Sequence, residues 1–188
     1  MIRRTVPILA VMLLSGCGFL SRKENHFYSL DTIPRAAEAR ALSGTPIAID
    51  AIELPPGIDR REIVVRGADL KLEMRGTQQW ASPIEEMVMH TLAFDLANRL
   101  PEGMIILPGQ VRSAATTRSI SVVFEDLAAG ADRVFILDAR WTLTDPGVAP
   151  VTHHERITID MASLDSAVIA AAMSQALGTL AERMTAAL

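Results

Sequence analysis

The chain has 188 residues and a formal net charge of −4, with 18 Lys and Arg against 22 Asp and Glu. An acidic body gains no long-range attraction to nucleic acid or to anionic headgroups, so both are excluded as charge-driven partners. The single cysteine excludes an intramolecular disulfide, and the length is enough for one domain with its own hydrophobic core.

The first sixteen residues have the pattern of an export signal. Arg3 and Arg4 precede a short apolar run, and the small residues Ser15 and Gly16 follow it. This order predicts a signal peptide at residues 1–16. The apolar run is much shorter than the roughly 20 residues that cross a bilayer, so a permanent transmembrane helix is not expected.

The residues around the cysteine, Leu14-Ser15-Gly16-Cys17, resemble the bacterial lipobox. The resemblance implies cleavage before Cys17, a thioether-linked diacylglycerol on its sulfur and a third acyl chain on the new amine. Two or more chains hold a protein firmly on a membrane. In such lipoproteins Gly18, rather than aspartate, favours the periplasmic face of the outer membrane. The alternative is an ordinary secreted protein with a stray thiol.

Residues 17–45 are interpreted as a lipid anchor and tether that contains one short strand at 27–30. At roughly 3.3 Å per residue, an extended tether of this length would reach several tens of ångströms. Residues 46–188 would then form a single folded domain.

The first part of that domain is predicted to be β-rich. Residues 47–54 form a strand whose apolar residues change face, which indicates burial on both faces or a bulge. A hairpin follows, with arms at 62–66 and 69–75 around Gly67-Ala68. Its second arm alternates, with Leu70, Leu72 and Met74 on one face.

A helix is predicted next, with Ser82 as N-cap, Pro83 at the first helical position and Glu85 completing a capping box. Its apolar stripe is Ile84, Val88, Leu92, Leu96 and Leu100. Pro101 should end it.

The second half is predicted as a short strand at 104–107, three strands at 119–127, 133–144 and 152–161, and a last helix at 165–188. A small turn is expected at 128–132, and the three strands should form an antiparallel meander. The predicted fold class is α+β: a largely antiparallel sheet of five to six strands, covered on one face by two amphipathic helices.

No catalytic or metal-binding pattern stands out in the sequence. The adjacent His153 and His154 point to opposite faces of a strand and cannot chelate one ion together. Glu125 and Asp126 are paired carboxylates that diverge in the same way. We therefore predict no catalytic residue, no metal and no cofactor.

Residues 59–62, Asp59-Arg60-Arg61-Glu62, form a charge cluster beside a turn. Such a cluster is either a solvated loop whose ion pairs contribute little or a loop that docks a partner, since recognition concentrates in polar loops on a rigid sheet.

The chain also resembles a known family. The residues that carry the resemblance are Cys17, then Phe27-Tyr28-Ser29-Leu30, Leu54-Pro55, Ile58-Asp59-Arg60, Glu62-Ile63-Val64, Arg66, Trp80-Ala81 and Pro83-Ile84. In this order they are similar to the PqiC-type ABC-transport auxiliary lipoproteins.

The resemblance implies a non-enzymatic outer-membrane component of an MCE-type ABC transport system that moves phospholipid or apolar molecules across the periplasm and maintains the envelope. The implied partners are an MCE-domain protein, the membrane through acylated Cys17, and further copies in a homo-oligomer. The candidate docking residues are Asp59, Arg60, Arg61, Glu62, Arg66 and Trp80. Alternatives are a periplasmic lipid-binding carrier and a lipoprotein that assists secretin or barrel assembly.

Overall fold

The structure, a computed structural model, describes residues 24–34, 44–111 and 118–188. The predicted signal peptide and Cys17 lie outside these ranges. Among the helices that are described, none is long and apolar enough to cross a membrane.

The described elements alternate strands and helices along the chain. In order they are β1 (His26–Tyr28), β2 (Ile47–Glu53), β3 (Glu62–Arg66), β4 (Leu72–Trp80), α1 (Ile84–Ala97), β5 (Ile105–Ile106), β6 (Arg118–Gly130), β7 (Val134–Thr144), β8 (Val151–Asp160) and α2 (Ser166–Ala187).

All eight strands belong to one sheet that forks at β6. Along one edge β6 pairs antiparallel with β7, which pairs antiparallel with β8. Along its other edge β6 pairs parallel with β2 in its first half and with β3 at its end. From there β2 leads to β5, and β3 leads through β4 to β1. On this side of β6 the sheet therefore divides into two branches, β2 with β5 and β3 with β4 and β1.

The predicted sheet is correct only in part. The antiparallel meander of β6, β7 and β8 is confirmed, but the described sheet has eight strands rather than five or six. Four pairings are parallel, namely β1 with β4, β2 with β5, β2 with β6, and β3 with β6. These join strands that are far apart in sequence, and apolar periodicity within a strand does not reveal its distant partner.

Both helices bury their apolar stripes in one core on the same face of the sheet. The predicted stripe of α1 is buried, as are Ile169, Met173 and Leu177 of α2. The opposing sheet residues include Phe124, Phe135 and Trp141. The covering of one face by two helices is thus confirmed.

The predicted start of α1 is wrong in detail. Pro83 occupies the N-cap position with ψ 128°, the helix begins at Ile84, and no side chain caps it. Ser82 lies one residue too early to accept the cap hydrogen bond, so the predicted capping box with Glu85 does not form.

Two strand boundaries also differ from the prediction. β6 continues through the expected turn to Gly130, because Ala128 and Ala129 pair with β7. β4 continues to Trp80, past the predicted end at residue 75. The predicted irregularity in β2 is confirmed as a register shift between Ile49 and Ala51.

Residues 29–34, here called the strap, leave β1 and cross both helices. The Asp31 backbone N–H donates to Ser174 Oγ at 3.1 Å, and the Ile33 N–H donates to Asp95 Oδ1 at 2.8 Å. A Cβ at Gly178 would lie 2.7 Å from Ile33 Cβ, so glycine is what allows the strap to pack so closely on α2.

β1 and the strap, which lie within the predicted tether, pack on the domain. Only residues 18–25 separate Cys17 from His26, the first residue of β1. The chain between those two residues spans at most about 30 Å.

Candidate functional site

The sheet face that points away from the helices carries most of the paired charges of the described residues. Side chains alternate along each strand, so Ile136, Asp138 and Arg140 of β7 share this face. We call it the open face, because neither described helix packs on it.

Two carboxylates face each other across β6 and β7 at the centre of the open face. Asp126 and Asp138 are direct partners in register, a placement that is repulsive for like charges. Arg66 of β3 donates to both oxygens of Asp126, each at 2.7 Å. Asp138 pairs with His154 Nε2 at 2.6 Å and accepts from Arg156 Nη1 at 2.5 Å. Neighbouring strands thus supply cations that offset the repulsion.

A β-bulge brings a third carboxylate to the same face. The register of β6 against β7 shifts between Phe124 and Asp126, and Glu125 pairs with Arg140 at 2.5 Å. The expectation that Glu125 and Asp126 diverge is therefore wrong, because a bulge breaks the strict alternation of side chains. The open-face ion-pair row consists of Arg66, Glu125, Asp126, Asp138, Arg140, His154 and Arg156.

The ion pairs hold two of these groups firmly in their charged form. Burial by itself raises the pKa of the Asp138 carboxyl, but the hydrogen bonds from His154 and Arg156 lower it more, so its pKa lies below the usual range. The hydrogen bonds to Asp126 raise the pKa of Arg66. Three arginines face three carboxylates in the row, and His154 adds a positive charge only when protonated.

Replacing Asp138 with asparagine should remove a pH-dependent part of the stability. A carboxyl whose pKa is lower in the folded than in the unfolded protein stabilises the fold at pH values above its unfolded pKa of 3.8. That contribution is lost as the pH falls through the folded pKa. We expect Asp138→Asn to cost about 1–2 kcal/mol at neutral pH. Urea denaturation at neutral pH and at pH 3 measures it, and the gap between wild type and variant should narrow at pH 3. An equal gap at both values would contradict this assignment.

Three members of the row have side chains that could bind a metal ion, but arginines already neutralise their carboxylates. Glu125, Asp138 and His154 each place one potential ligand atom within 4.8 Å of the others. Arg140 and Arg156 already donate to the two carboxylates. A divalent cation would have to displace both guanidinium groups, so the arrangement favours ion pairing over metal binding.

The adjacent histidines lie on opposite faces, as predicted. His154 belongs to the open face, whereas the ring of His153 stacks on Trp141 on the helix side, with centroids 4.2 Å apart. On that side Glu155 also pairs with Arg183 at 2.8 Å.

Comparison with known proteins decides the family. Residues 28–185 match the family described as the ABC-type transport auxiliary lipoprotein component. The chain belongs to this family. The match runs from the last residue of β1 into α2, so it includes the strap and strands β2 to β8 with the open face.

A curated relative agrees with this assignment, and solved structures share the fold. The intermembrane transport lipoprotein PqiC of Escherichia coli K12 is 22% identical over 146 residues, which is 77% of this chain and 76% of the relative. A crystal structure of an uncharacterized protein superposes with a TM-score of 0.72 at 13% identity, covering 88% of this chain and 99% of that one. Protein XCC0632 from Xanthomonas campestris gives 0.64 at 16% identity, covering 85% and 92%.

The predicted docking residues of this auxiliary lipoprotein divide between surface and core. Asp59 and Arg61 are exposed, Arg60 and Glu62 are half-buried, and Arg66 lies in the ion-pair row. These five are on or beside the open face, where Ile58 of the same loop packs on Val64 and Ala128.

Trp80 does not belong with the other predicted docking residues, because it is buried. It is only 4% exposed and belongs to the core beneath the helices. Its ring cannot reach a partner unless the domain rearranges. The sequence motif around Trp80 therefore reflects packing at the start of α1.

A small cavity lies in the fork of the sheet, between β3 and the end of β6. Its volume is about 10 Å³, and its lining includes Ile58, Val64, Trp80 and Phe135. This is room for about one water molecule. An acyl chain does not fit there.

Proposed function

We propose that this auxiliary lipoprotein is held on the periplasmic face of the outer membrane by acylated Cys17, and that it is a non-enzymatic docking subunit of an MCE-type ABC transport system. In this proposal the system moves phospholipid or apolar solutes across the periplasm and maintains the envelope. The name of the E. coli relative, an intermembrane transport lipoprotein, supports this role.

The open-face ion-pair row is the observation that carries the docking role. Its arginines are partly exposed, with Arg140 and Arg156 more than half accessible. A rigid sheet holds each charge in place, and fixed, partly exposed charges give a partner orientation and specificity. The loop at residues 59–62 extends the same surface.

The row is poorly suited to catalysis. Each carboxylate accepts from a guanidinium group at 2.7 Å or less. A general base needs a carboxylate that is free to take a proton from a substrate. These carboxylates serve instead to position arginines on the surface.

Charge reversal at Arg140 tests the docking face. Arg140→Glu would place a second carboxylate beside Glu125 on a half-exposed surface, so the fold should be kept while the net charge of the row falls by two. We expect co-purification of the proposed MCE-domain partner to fall about tenfold or more. Binding of the wild-type protein to the same partner should weaken as the salt concentration rises.

The matched control is Arg183→Glu on the helix side. Arg183 is about as exposed as Arg140 and pairs with Glu155 in the same way. If both variants lose the partner equally, the open face is not the docking surface. If the wild type itself captures no MCE-domain protein, the proposed function fails as a whole.

A further inference from the structure

The hairpin that joins β3 to β4 exposes apolar side chains at its tip. We define the hairpin tip as residues 67–74. Leu70 is 85% exposed and Met74 is 57% exposed, and Leu72 is exposed as well. These are the residues whose alternation suggested one apolar strand face, yet the core does not contain them. Exposed apolar side chains that recur at alternate positions of one hairpin favour a protein-binding or membrane-binding surface.

The backbone at the tip adds a second observation. Leu70 has φ +65°, a left-handed conformation that branched side chains rarely adopt. The turn is nevertheless well defined, because the Gly67 N–H donates to the Lys71 carbonyl at 2.8 Å and the Leu70 N–H donates to the Gly67 carbonyl at 3.2 Å. An exposed leucine in a strained turn has no structural benefit within the described residues, and such strain points to a function.

The direction of β1 shows which side of the domain the lipid anchor comes from. β1 runs parallel to β4, with His26 opposite Gln78 and Tyr28 opposite Trp80. β1 therefore begins at its end nearer to the earlier β4 residues, which is the side of the tip. Leu72 lies six residues before Gln78, at most about 20 Å along the strand.

The chain between Cys17 and His26 is long enough to cover that distance. Residues 18–25 allow a span of up to about 30 Å, so Cys17 can lie level with the tip. The lipid on Cys17 and the apolar tip then face the same bilayer. Charged groups flank the cluster: Lys71 pairs with Asp69, and Arg60 Nη1 contacts Met74 Sδ. Exposed apolar residues beside long, flexible cationic side chains are typical of segments that lie in a membrane interface.

We propose that the hairpin tip inserts into the bilayer that carries the Cys17 lipid, so that the domain is held at two points. This inference rests on the acylation of Cys17 in the proposed function, but not on docking to a transporter. Two points of attachment would fix which side of the domain faces the periplasm and keep the docking surface from turning freely.

A fluorescent label on the tip tests the proposal. The variant Leu70→Cys is labelled with an environment-sensitive nitrobenzoxadiazole probe on the full-length, acylated protein, whose Cys17 sulfur is blocked by its thioether. The protein is reconstituted into vesicles of phosphatidylethanolamine and phosphatidylglycerol, with or without brominated acyl chains. We expect a blue-shifted emission that brominated lipids quench and aqueous iodide does not.

The matched control is Val148→Cys, another exposed apolar residue in a turn. It follows β7 and lies at the opposite end of the sheet from the tip. Its label should respond to iodide and not to brominated lipid.

Each other outcome overturns a defined part of the proposal. A protein that floats with vesicles while its Leu70→Cys label stays open to iodide is anchored without tip insertion. A label shielded from both quenchers would indicate that a protein surface covers the tip, which also rejects insertion. Failure to float at all would reject the acylated anchor and, with it, this part of the proposed function.

Discussion

Replacing Cys17 with alanine should abolish acylation of the protein and remove it from the outer-membrane fraction. A single acyl chain binds membranes marginally, whereas two or more anchor a protein stably. One acyl chain alone binds membranes with an association constant of about 10⁴ M⁻¹, so a protein that loses its thioether-linked chains loses stable anchoring. Fractionation of cells and labelling with radioactive palmitate measure the two consequences directly.

The wild-type protein is the control for this experiment, since its only cysteine is the predicted attachment site. Palmitate should label the wild type and not Cys17→Ala. Equal labelling, or no label on either protein, would show that the lipobox resemblance is misleading. The described fold would remain, but the proposals for the anchor and the hairpin tip would both be lost.

The elements that could be predicted from the sequence are those whose structure is decided by local pattern. The stripe from Ile84 to Leu96 identified α1 because a spacing of four residues on one helix face is visible within a short window. The meander of β6 to β8 was visible for a similar reason, since each strand alternates and short turns join them. The family resemblance was confirmed, and it rested on short motifs in the correct order.

The missed features depend on register between strands that are distant in sequence. Arg66 meets Asp126 only because β3 pairs in parallel with the end of β6, a contact across 60 residues. Glu125 joins the open face only because of a bulge. Polar residues such as Asp138 and Arg140 were visible as the polar side of an alternating strand, but their partners on β8 depend on the pairing register.

Replacing Asp95 with alanine should have the largest effect on stability among the variants discussed. Asp95 is fully buried in α1, accepts from the Ile33 N–H at 2.8 Å, and pairs with the buried Arg99 at 3.3 Å. Alanine would leave both the guanidinium group and the backbone N–H of the strap without this acceptor. We expect a loss of about 3 kcal/mol in the free energy of unfolding at neutral pH, measured by urea denaturation.

The pH dependence of this residue has the opposite sign to that of Asp138. Burial raises the pKa of the Asp95 carboxyl more than the Ile33 N–H and Arg99 lower it. A folded pKa above the unfolded value of 3.8 means that the carboxyl favours folding most when protonated, and this advantage is lost as the pH rises through the folded pKa. The stability of wild type relative to Asp95→Asn should therefore decrease from pH 4 upwards.

A second variant distinguishes the loss of the strap contact from a general loss of core stability. Gly178→Ala leaves the buried charges intact but places a methyl group 2.7 Å from Ile33 Cβ. Alanine normally favours a helix over glycine by about 1 kcal/mol, so a net loss would show that overpacking against the strap prevails.

Amide hydrogen exchange at Ile33 should accelerate in both Asp95→Ala and Gly178→Ala. Asp69→Ala, which removes an exposed partner of Lys71, should leave that exchange unchanged. If Ile33 exchanges equally fast in all four proteins, the strap is not held by the helices. The tether from Cys17 would then be longer than residues 18–25, and the apolar tip would lose its fixed distance from the membrane.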